Sequence, residues 1–250
     1  MITTDSTARL AGRTIERSLL TDGERRAMFD LLTTFFTGVD ELTFETDLKE
    51  KSHVILLEDD GGVVRGFSTL LIYQTAVPGV DATIVYSGDT IVDRDWWGSL
   101  ALPVSWLRAV RTLSSDPHAD AADAARARTV YWLLLTSGFR TYRFLPVFWR
   151  DFCPRYDSAA QAKDLMDALA QERFGQQYDA ARGIVRFARP QVLVPELLDV
   201  PSGRALDEHV AFFLERNPGY TRGDELVCLT NLSDSNLTGA GRRIARQLKG

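Results

Sequence analysis

The segment Arg94–Ala101 combines features that suit the binding of a phosphorylated ligand. Arg94 supplies a cation, Gly98 leaves the backbone open to close approach, and Ser99 adds a hydroxyl group. The segment lies between a predicted strand and a predicted helix, and the unpaired N–H groups at a helix N-terminus attract anions. An anion could therefore bind here. The structural alternative is that Gly98 only eases the turn while the neighbouring tryptophans cover the end of the sheet.

A second candidate is the segment Gly138–Tyr156, which concentrates arginine and aromatic residues within an acidic protein. Arg140 and Arg143 could bind phosphates or a carboxylate, because a guanidinium group presents paired donors to such anions. The aromatic faces could hold an acyl chain or a planar group, and RNA stacking is a further possibility. The alternative is an ordinary helix that packs its phenylalanines inward while the arginines extend into solvent.

Asp89 is the third candidate, because it interrupts the mainly apolar strand predicted over residues 82–92. Strands disfavour Asp, and burial would raise the pKa of its carboxyl group, so Asp89 is a candidate for proton transfer. The alternative is that Asp89 follows Gly88 in a β-bulge and faces water. Cys153 is a weaker candidate for a nucleophile, because no histidine is adjacent to it in the sequence.

The composition excludes several other classes of protein. The chain has 250 residues, 45% of them hydrophobic, and a formal net charge of −5, which disfavours a main role in binding nucleic acid. Two cysteines and three dispersed histidines predict neither a disulfide framework nor a metal site. The GxSxG, P-loop, GxGxxG and HExxH motifs are absent. Because no apolar run approaches the roughly 18 residues of a membrane span and no apolar leader is present, we expect no membrane association and a cytoplasmic location.

The candidate residues require a mixed α/β arrangement to position them. Tight turns at 59–62 and 78–79 predict that the first three strands form an antiparallel meander. The strand–helix–strand unit over 82–136 predicts two parallel neighbouring strands. The periodicity predicts helices over 21–37, 44–51, 99–113, 159–174 and 205–216, strands over 53–58, 64–77, 82–92, 130–136 and 225–229, a polar loop over 114–128 and a basic tail.

This order of elements resembles the GNAT-type acyl-CoA N-acyltransferases, which implies an α/β fold with a largely antiparallel central sheet flanked by helices. The resemblance covers about residues 20–157 of a single domain, so 158–250 would be a C-terminal extension that caps the cleft or forms a homodimer interface. The family's pyrophosphate loop follows a pattern like Arg/Gln-x-x-Gly-x-Gly/Ala. Here Arg94 fits its first position, Trp97 replaces the first glycine, and Ser99 stands at the second small residue.

The resemblance also implies which residues form the site. Asp89 would be the general base, and Tyr142 or Tyr156 would protonate the departing thiolate. The pantetheine arm of the cofactor would lie where the two parallel strands separate, between 91–92 and 135–137. The cofactor-binding residues implied in this way are Ile91, Val92, Arg94, Trp97, Gly98, Ser99, Leu100, Thr136, Ser137, Arg140 and Arg143.

The activity implied by the resemblance is transfer of an acyl group from acyl-CoA to a small amine acceptor, by direct attack in a ternary complex and without a metal. Two alternatives stay open. The donor could be an aminoacyl-tRNA or an acylated carrier protein, which the altered glycine pattern and the arginine-rich segment would permit. The chain could also be an inactive module that keeps the fold to bind a small anionic ligand or a protein partner.

Overall fold

A computed structural model describes residues 9–114, 128–158, 160–204 and 207–248. Within these ranges a nine-stranded sheet has the order β1-β3-β4-β5-β6-β11-β9-β8, with β7 also paired to β11. A separate two-stranded sheet is formed by β2 and β10. The strands are β1 (Leu10–Glu16), β2 (Phe36–Thr37), β3 (His53–Asp59), β4 (Val64–Gln74), β5 (Ala82–Val92), β6 (Thr129–Thr136), β7 (Phe152–Cys153), β8 (Tyr178–Asp179), β9 (Ile184–Val185), β10 (Val192–Leu193) and β11 (Glu225–Asn231).

The helices flank the large sheet. They are α1 (Asp22–Thr33), α2 (Glu41–Lys49), α3 (Ala101–Ser114), α4 (Phe139–Tyr142), α5 (Phe144–Phe148), α6 (Ala160–Phe174), α7 (Pro195–Leu198), α8 (Glu208–Arg216) and α9 (Gly239–Gln247). Helix α1 begins where the sequence predicts, because Thr21 and Glu24 form a reciprocal capping box. Pro103 is accommodated in the first turn of α3, where a missing N–H costs no intrahelical hydrogen bond.

The predicted meander and parallel pair are both confirmed. Strands β3, β4 and β5 pair antiparallel in sequence order. Strands β5 and β6 pair in parallel from Ala82 opposite Thr129 to Ser87 opposite Leu134, and the pairing then ends although β5 continues to Val92. The two strands therefore separate beyond Ser87, which opens the sheet at one end.

Alternating side chains of β5 face two different helical layers. Val85 belongs to the apolar core that contains the buried side of α3, whereas Ile84 and Tyr86 belong to a second core beneath α6. A third core joins α1 and α2 to the same sheet, and it includes Ile91 near the end of β5. The opening between β5 and β6 is thus bordered by all three cores.

Several elements differ from the sequence-based predictions. The final strand, β11, pairs antiparallel with β6 and so lies inside the sheet. Strand β1 was not predicted, because only a few of its residues are apolar and it lies at the sheet edge, paired with β3 alone. Helix α9 replaces the expected basic tail: Thr238 caps it, and its few apolar residues, such as Ile244, are buried.

The arginine-rich segment 138–157 is neither one helix nor an open surface. It forms the short helices α4 and α5 and the short strand β7. Most of the loop predicted over 114–128, and the first residues of the helices predicted from 159 and from 205, lie outside the described ranges. The described part of the second of these helices begins at Glu208, after a cap from Asp207.

Candidate active site

The opening in the sheet coincides with a β-bulge in β5. Ser68 is opposite Thr90 and Leu70 is opposite Ser87, so Gly88 and Asp89 together face the single residue between them on β4. A bulge of this kind interrupts the alternation of side chains and redirects the residues that follow. It explains how Asp89 can occupy a strand, and it places this carboxylate at the point where β5 leaves β6.

Two cavities meet at this opening. One has a volume of about 560 Å³ and lies on the α3 side, and the other has about 470 Å³ and lies on the α6 side. We name them the donor-side cavity and the acceptor-side cavity after the roles that we propose for them. Volumes of this size are typical of small-molecule sites. The residues that line both are Phe36, Thr90, Leu134, Ser137 and Thr141.

The donor-side cavity contains most of the predicted cofactor-binding residues. Gly98 has a φ of +95°, and no atom lies within 4 Å of the position its Cβ would take, so the backbone there is open to a ligand. The backbone N–H groups of Trp97 and Ser99 already donate to carbonyl groups within the loop. The residues of the predicted set that line this cavity are Ile91, Val92, Trp97, Gly98, Ser99, Ser137, Arg140 and Arg143.

Arg140 lines the donor-side cavity, and the positive charge of Arg94 lies near it. The guanidinium of Arg140 lies 4.5 Å from the ring centroid of Phe139 and 5.5 Å from that of Trp97, and it donates to the carbonyl of Leu197. Burial, and the nearby charge of Arg94, lower the pKa of Arg140. Within the described ranges neither arginine has a carboxylate partner. This arrangement leaves positive charge available to an anion.

Arg143 lines the same cavity but is neutralised. Its Nε donates to Asp207 at 2.9 Å, and Asp207 also caps the start of α8. A phosphate would have to compete with this carboxylate for Arg143. The structure therefore distinguishes the two arginines of the segment, with Arg140 available and Arg143 engaged in holding α8.

The acceptor-side cavity is lined by ionisable side chains around Asp89. Burial raises the pKa of Asp89 to about 6, although the nearby ammonium of Lys51 lowers it and the carboxylate of Asp47 raises it. Lys51 is itself buried, donates to the carbonyl of Asp47 at 2.9 Å, and has its pKa lowered by burial. A carboxyl group with a pKa near neutrality can accept a proton and release it again, as a general base must.

Glu225 is a second carboxylate in this cavity. Burial raises its pKa to about 7, although Ser137 donates a hydrogen bond to its Oε1 at 3.0 Å and favours the charged form. Glu225 was not among the predicted site residues, because 225–229 was predicted only as a terminal strand. The sequence signal for Glu225 is an acidic residue at the start of an apolar run. This residue reaches the site only because β11 pairs with β6.

Replacing Glu225 with Gln is expected to stabilise the fold at high pH. Burial raises the pKa of Glu225 from 4.5 to about 7, so the charged form of Glu225 destabilises the folded state. This free-energy cost grows between pH 4.5 and pH 7 and is fully present above pH 7. We expect the variant to gain roughly 1–3 kcal/mol in free energy of unfolding at pH 8 and almost nothing at pH 4. Urea unfolding at both pH values measures this. An equal effect at both would show that Glu225 is not desolvated.

Five predicted residues are absent from the linings of the two cavities. The side chain of Tyr142 is fully buried and its hydroxyl donates to the carbonyl of Pro154, while Tyr156 is exposed beside His209. Thr136 is buried and donates to the carbonyl of Leu226. Leu100 is half exposed and borders a different surface depression, and Arg94 approaches the donor-side cavity only through its contact with Phe35.

Within the described ranges, no group of three or more His, Cys, Asp or Glu side chains is arranged to hold a metal ion. No helix in the same ranges is long and apolar enough to cross a membrane.

Comparisons with known proteins give structural matches at low identity. No protein-family model and no curated protein sequence matches the chain significantly. A GNAT family N-acetyltransferase (YhbS) from Escherichia coli, solved with CoA, is 18% identical, with 56% of this chain and 70% of that chain covered and a TM-score of 0.39. Arabidopsis thaliana NAA60, solved with acetyl-CoA, is 15% identical, covering 59% and 88%, with a TM-score of 0.39. A probable N-acyltransferase from Enterococcus faecalis is 12% identical, covering 90% and 67%, again with a TM-score of 0.39.

Proposed function

We propose that this chain, which has the fold of the GNAT-type N-acyltransferases, transfers an acyl group from acyl-CoA to an amine. The observation that carries the proposal is the meeting of two chemically different cavities where β5 and β6 separate. The donor-side cavity has Arg140 in its lining and mostly apolar walls, which suit a phosphorylated thioester. The acceptor-side cavity has carboxylates near its centre, which suit an amine.

In this proposal Arg94 and Arg140 hold the phosphates of CoA, and the open backbone at Gly98 allows close approach. The pantetheine arm follows Ile91 and Val92 to the opening in the sheet. The thioester carbonyl then lies near Ser137, which borders both cavities. Holding both reactants at one opening converts the reaction into an intramolecular one, which is a major source of rate enhancement.

Asp89 and Glu225 divide the proton transfers between them. The amine nitrogen attacks the thioester carbonyl, the new C–N bond forms, and Asp89 accepts the proton that the nitrogen loses. The C–S bond breaks, and the departing thiolate takes a proton from Ser137, which Glu225 in its protonated form then restores. Two carboxyl groups with pKa values of about 6 and about 7 can hold these opposite states near neutral pH.

The test is release of free CoA thiol from acyl-CoA in the presence of a panel of amines. We expect release that depends on both the enzyme and the amine, with calorimetric binding of CoA. Binding of CoA without release on any amine would support an inactive ligand-binding module instead. If no CoA species binds, an aminoacyl-tRNA or a carrier protein becomes the donor to test, because Arg140 and Arg94 would then face a macromolecular phosphate.

A further inference from the structure

The donor-side cavity extends well beyond the opening where the thioester would lie. Beside Leu134 on β6, which borders both cavities, one part of its lining comes from α3, α5 and α9. The walls of this part are almost entirely aliphatic or aromatic. We call it the tryptophan chamber, and it is lined by Trp106, Leu107, Trp132, Phe148, Trp149, Leu237 and Ile244.

The tryptophan chamber is built from side chains that are packed against one another. The ring centroids of Trp106 and Trp132 are 4.4 Å apart, and those of Trp132 and Trp149 are 5.0 Å apart. All three tryptophans are at most 6% exposed. Because their rings fix one another, the space they border is held open by a rigid wall and does not depend on one flexible side chain.

The three indole N–H groups are satisfied unequally. Those of Trp106 and Trp132 both donate to the hydroxyl oxygen of Ser87, at 3.1 and 2.9 Å. The indole nitrogen of Trp149 is also buried but has no hydrogen-bond partner within the described ranges. A buried N–H without a partner costs free energy, and a ligand oxygen in the chamber would remove that cost.

We infer that the tryptophan chamber binds the hydrocarbon chain of a medium- or long-chain acyl donor, with the indole N–H of Trp149 donating to an oxygen of that donor. This inference rests on the proposed function, which places the thioester at the opening between β5 and β6. An acetyl group would leave the chamber empty, whereas a longer chain entering past Leu134 would bury its methylenes against aromatic walls. The oxygen is a keto or hydroxyl group on the acyl chain, because the pantetheine arm ends at the opening.

The experiment measures the affinity of CoA, acetyl-CoA and saturated acyl-CoA species of increasing length, with tryptophan fluorescence as a second signal. Each methylene that enters the chamber should tighten binding by up to about fourfold, until the chamber is full. We expect quenching or a spectral shift for the longer chains only. Equal affinity for acetyl-CoA and all longer species would overturn the inference and leave the proposed function intact.

Ile244 provides a pair of variants that change the depth of the chamber in opposite directions. Ile244→Phe should shift the preferred chain to a shorter length, and Ile244→Ala should shift it to a longer one. Circular dichroism and thermal unfolding show whether both variants are folded. An unchanged length preference in both folded variants would contradict the inference.

Trp149→Phe tests the hydrogen bond to this oxygen, because it removes the N–H and keeps an aromatic wall. A loss of affinity for plain octanoyl-CoA as large as that for oxo- or hydroxyacyl-CoA would contradict a hydrogen bond to the chain. A loss confined to oxo- or hydroxyacyl-CoA would assign it to the chain. No loss with any donor would remove the Trp149 hydrogen bond from the inference.

A further binding experiment tests the chamber independently of the proposal that the donor is CoA. Octanoyl-N-acetylcysteamine carries the thioester and the chain without the phosphates that Arg94 and Arg140 would hold. If CoA species do not bind but this compound quenches tryptophan fluorescence and responds to Ile244→Phe, the chamber is supported and the donor is not CoA. If neither binds, both proposals fail.

Discussion

Replacing Asp89 with Asn is expected to lower the rate of acyl transfer by about 10²–10⁴-fold, the usual contribution of a general base. The amide is close to isosteric with the carboxyl group but cannot accept the proton of the attacking amine. Burial raises the pKa of Asp89, which means that the folded state favours the neutral form of this side chain. The fold should therefore tolerate the neutral amide. Thiol release under saturating acyl-CoA and amine measures the effect, and an unchanged affinity for CoA shows that the donor-side cavity is intact.

The pH dependence gives an independent check on the same assignment. Transfer should rise with pH as Asp89 loses its proton, at about pH 6, and fall as Glu225 loses its own, at about pH 7, giving a narrow bell. The matched variant is Glu225→Gln, which keeps a hydrogen-bond acceptor for Ser137. It should lose the alkaline limb and retain more activity than Asp89→Asn. A wild-type rate for Asp89→Asn with an unshifted profile would rule out Asp89 as the base.

Replacing Arg140 with Ala is expected to weaken CoA binding by about 10–100-fold, the contribution of a charge-assisted hydrogen bond to phosphate. The size of the effect follows from the absence of a carboxylate partner for Arg140 within the described ranges, so that its charge is available to the ligand. Calorimetric titration with CoA at low and high salt measures it. The loss should be smaller at high salt, because salt already screens the phosphate contact in the unmodified protein.

Arg143→Ala is the matched control, because Arg143 lies three residues away and lines the same cavity. Its guanidinium is engaged by Asp207, so CoA affinity should change by no more than about twofold, as for an ordinary substitution remote from the ligand. The variant should instead lower thermal stability, because it leaves the cap of α8 without its partner. Equal losses of CoA affinity in both variants would show that the cavity binds phosphate through both arginines or through neither.

The local sequence was sufficient to predict most of the framework. The tight turns at 59–62 and 78–79 favour antiparallel pairing of the strands that they connect, and the helix between β5 and β6 favours a parallel crossover. The loop from Arg94 to Ser99 was predicted for the same reason. It is short, it lies between two well-marked elements, and its glycine is needed where φ is positive.

The relation between distant segments was decided by the tertiary structure alone. Tyr142 and Tyr156 follow β6 in sequence and so were plausible acids. In the structure, however, Tyr142 is buried against Phe213 of α8, and Tyr156 is exposed outside the cavities. Glu225 is 136 residues after Asp89 and faces the same cavity only because β11 inserts next to β6. The direction of a side chain after a turn depends on long-range packing, and so does the strand that pairs with β11. A local sequence pattern does not encode either.

The electrostatic properties of the site were also decided by the tertiary structure. Asp89 was notable in the sequence because strands disfavour Asp. Its raised pKa arises from burial at the opening of the sheet, together with the opposing effects of Lys51 and Asp47. The difference between Arg140 and Arg143 likewise depends on Asp207, which arrives from the C-terminal part of the chain. Residue types and spacing determined which groups could do chemistry. Only the folded arrangement determined which of them are desolvated, paired or free, because burial and charge pairing are properties of the whole surroundings of a group.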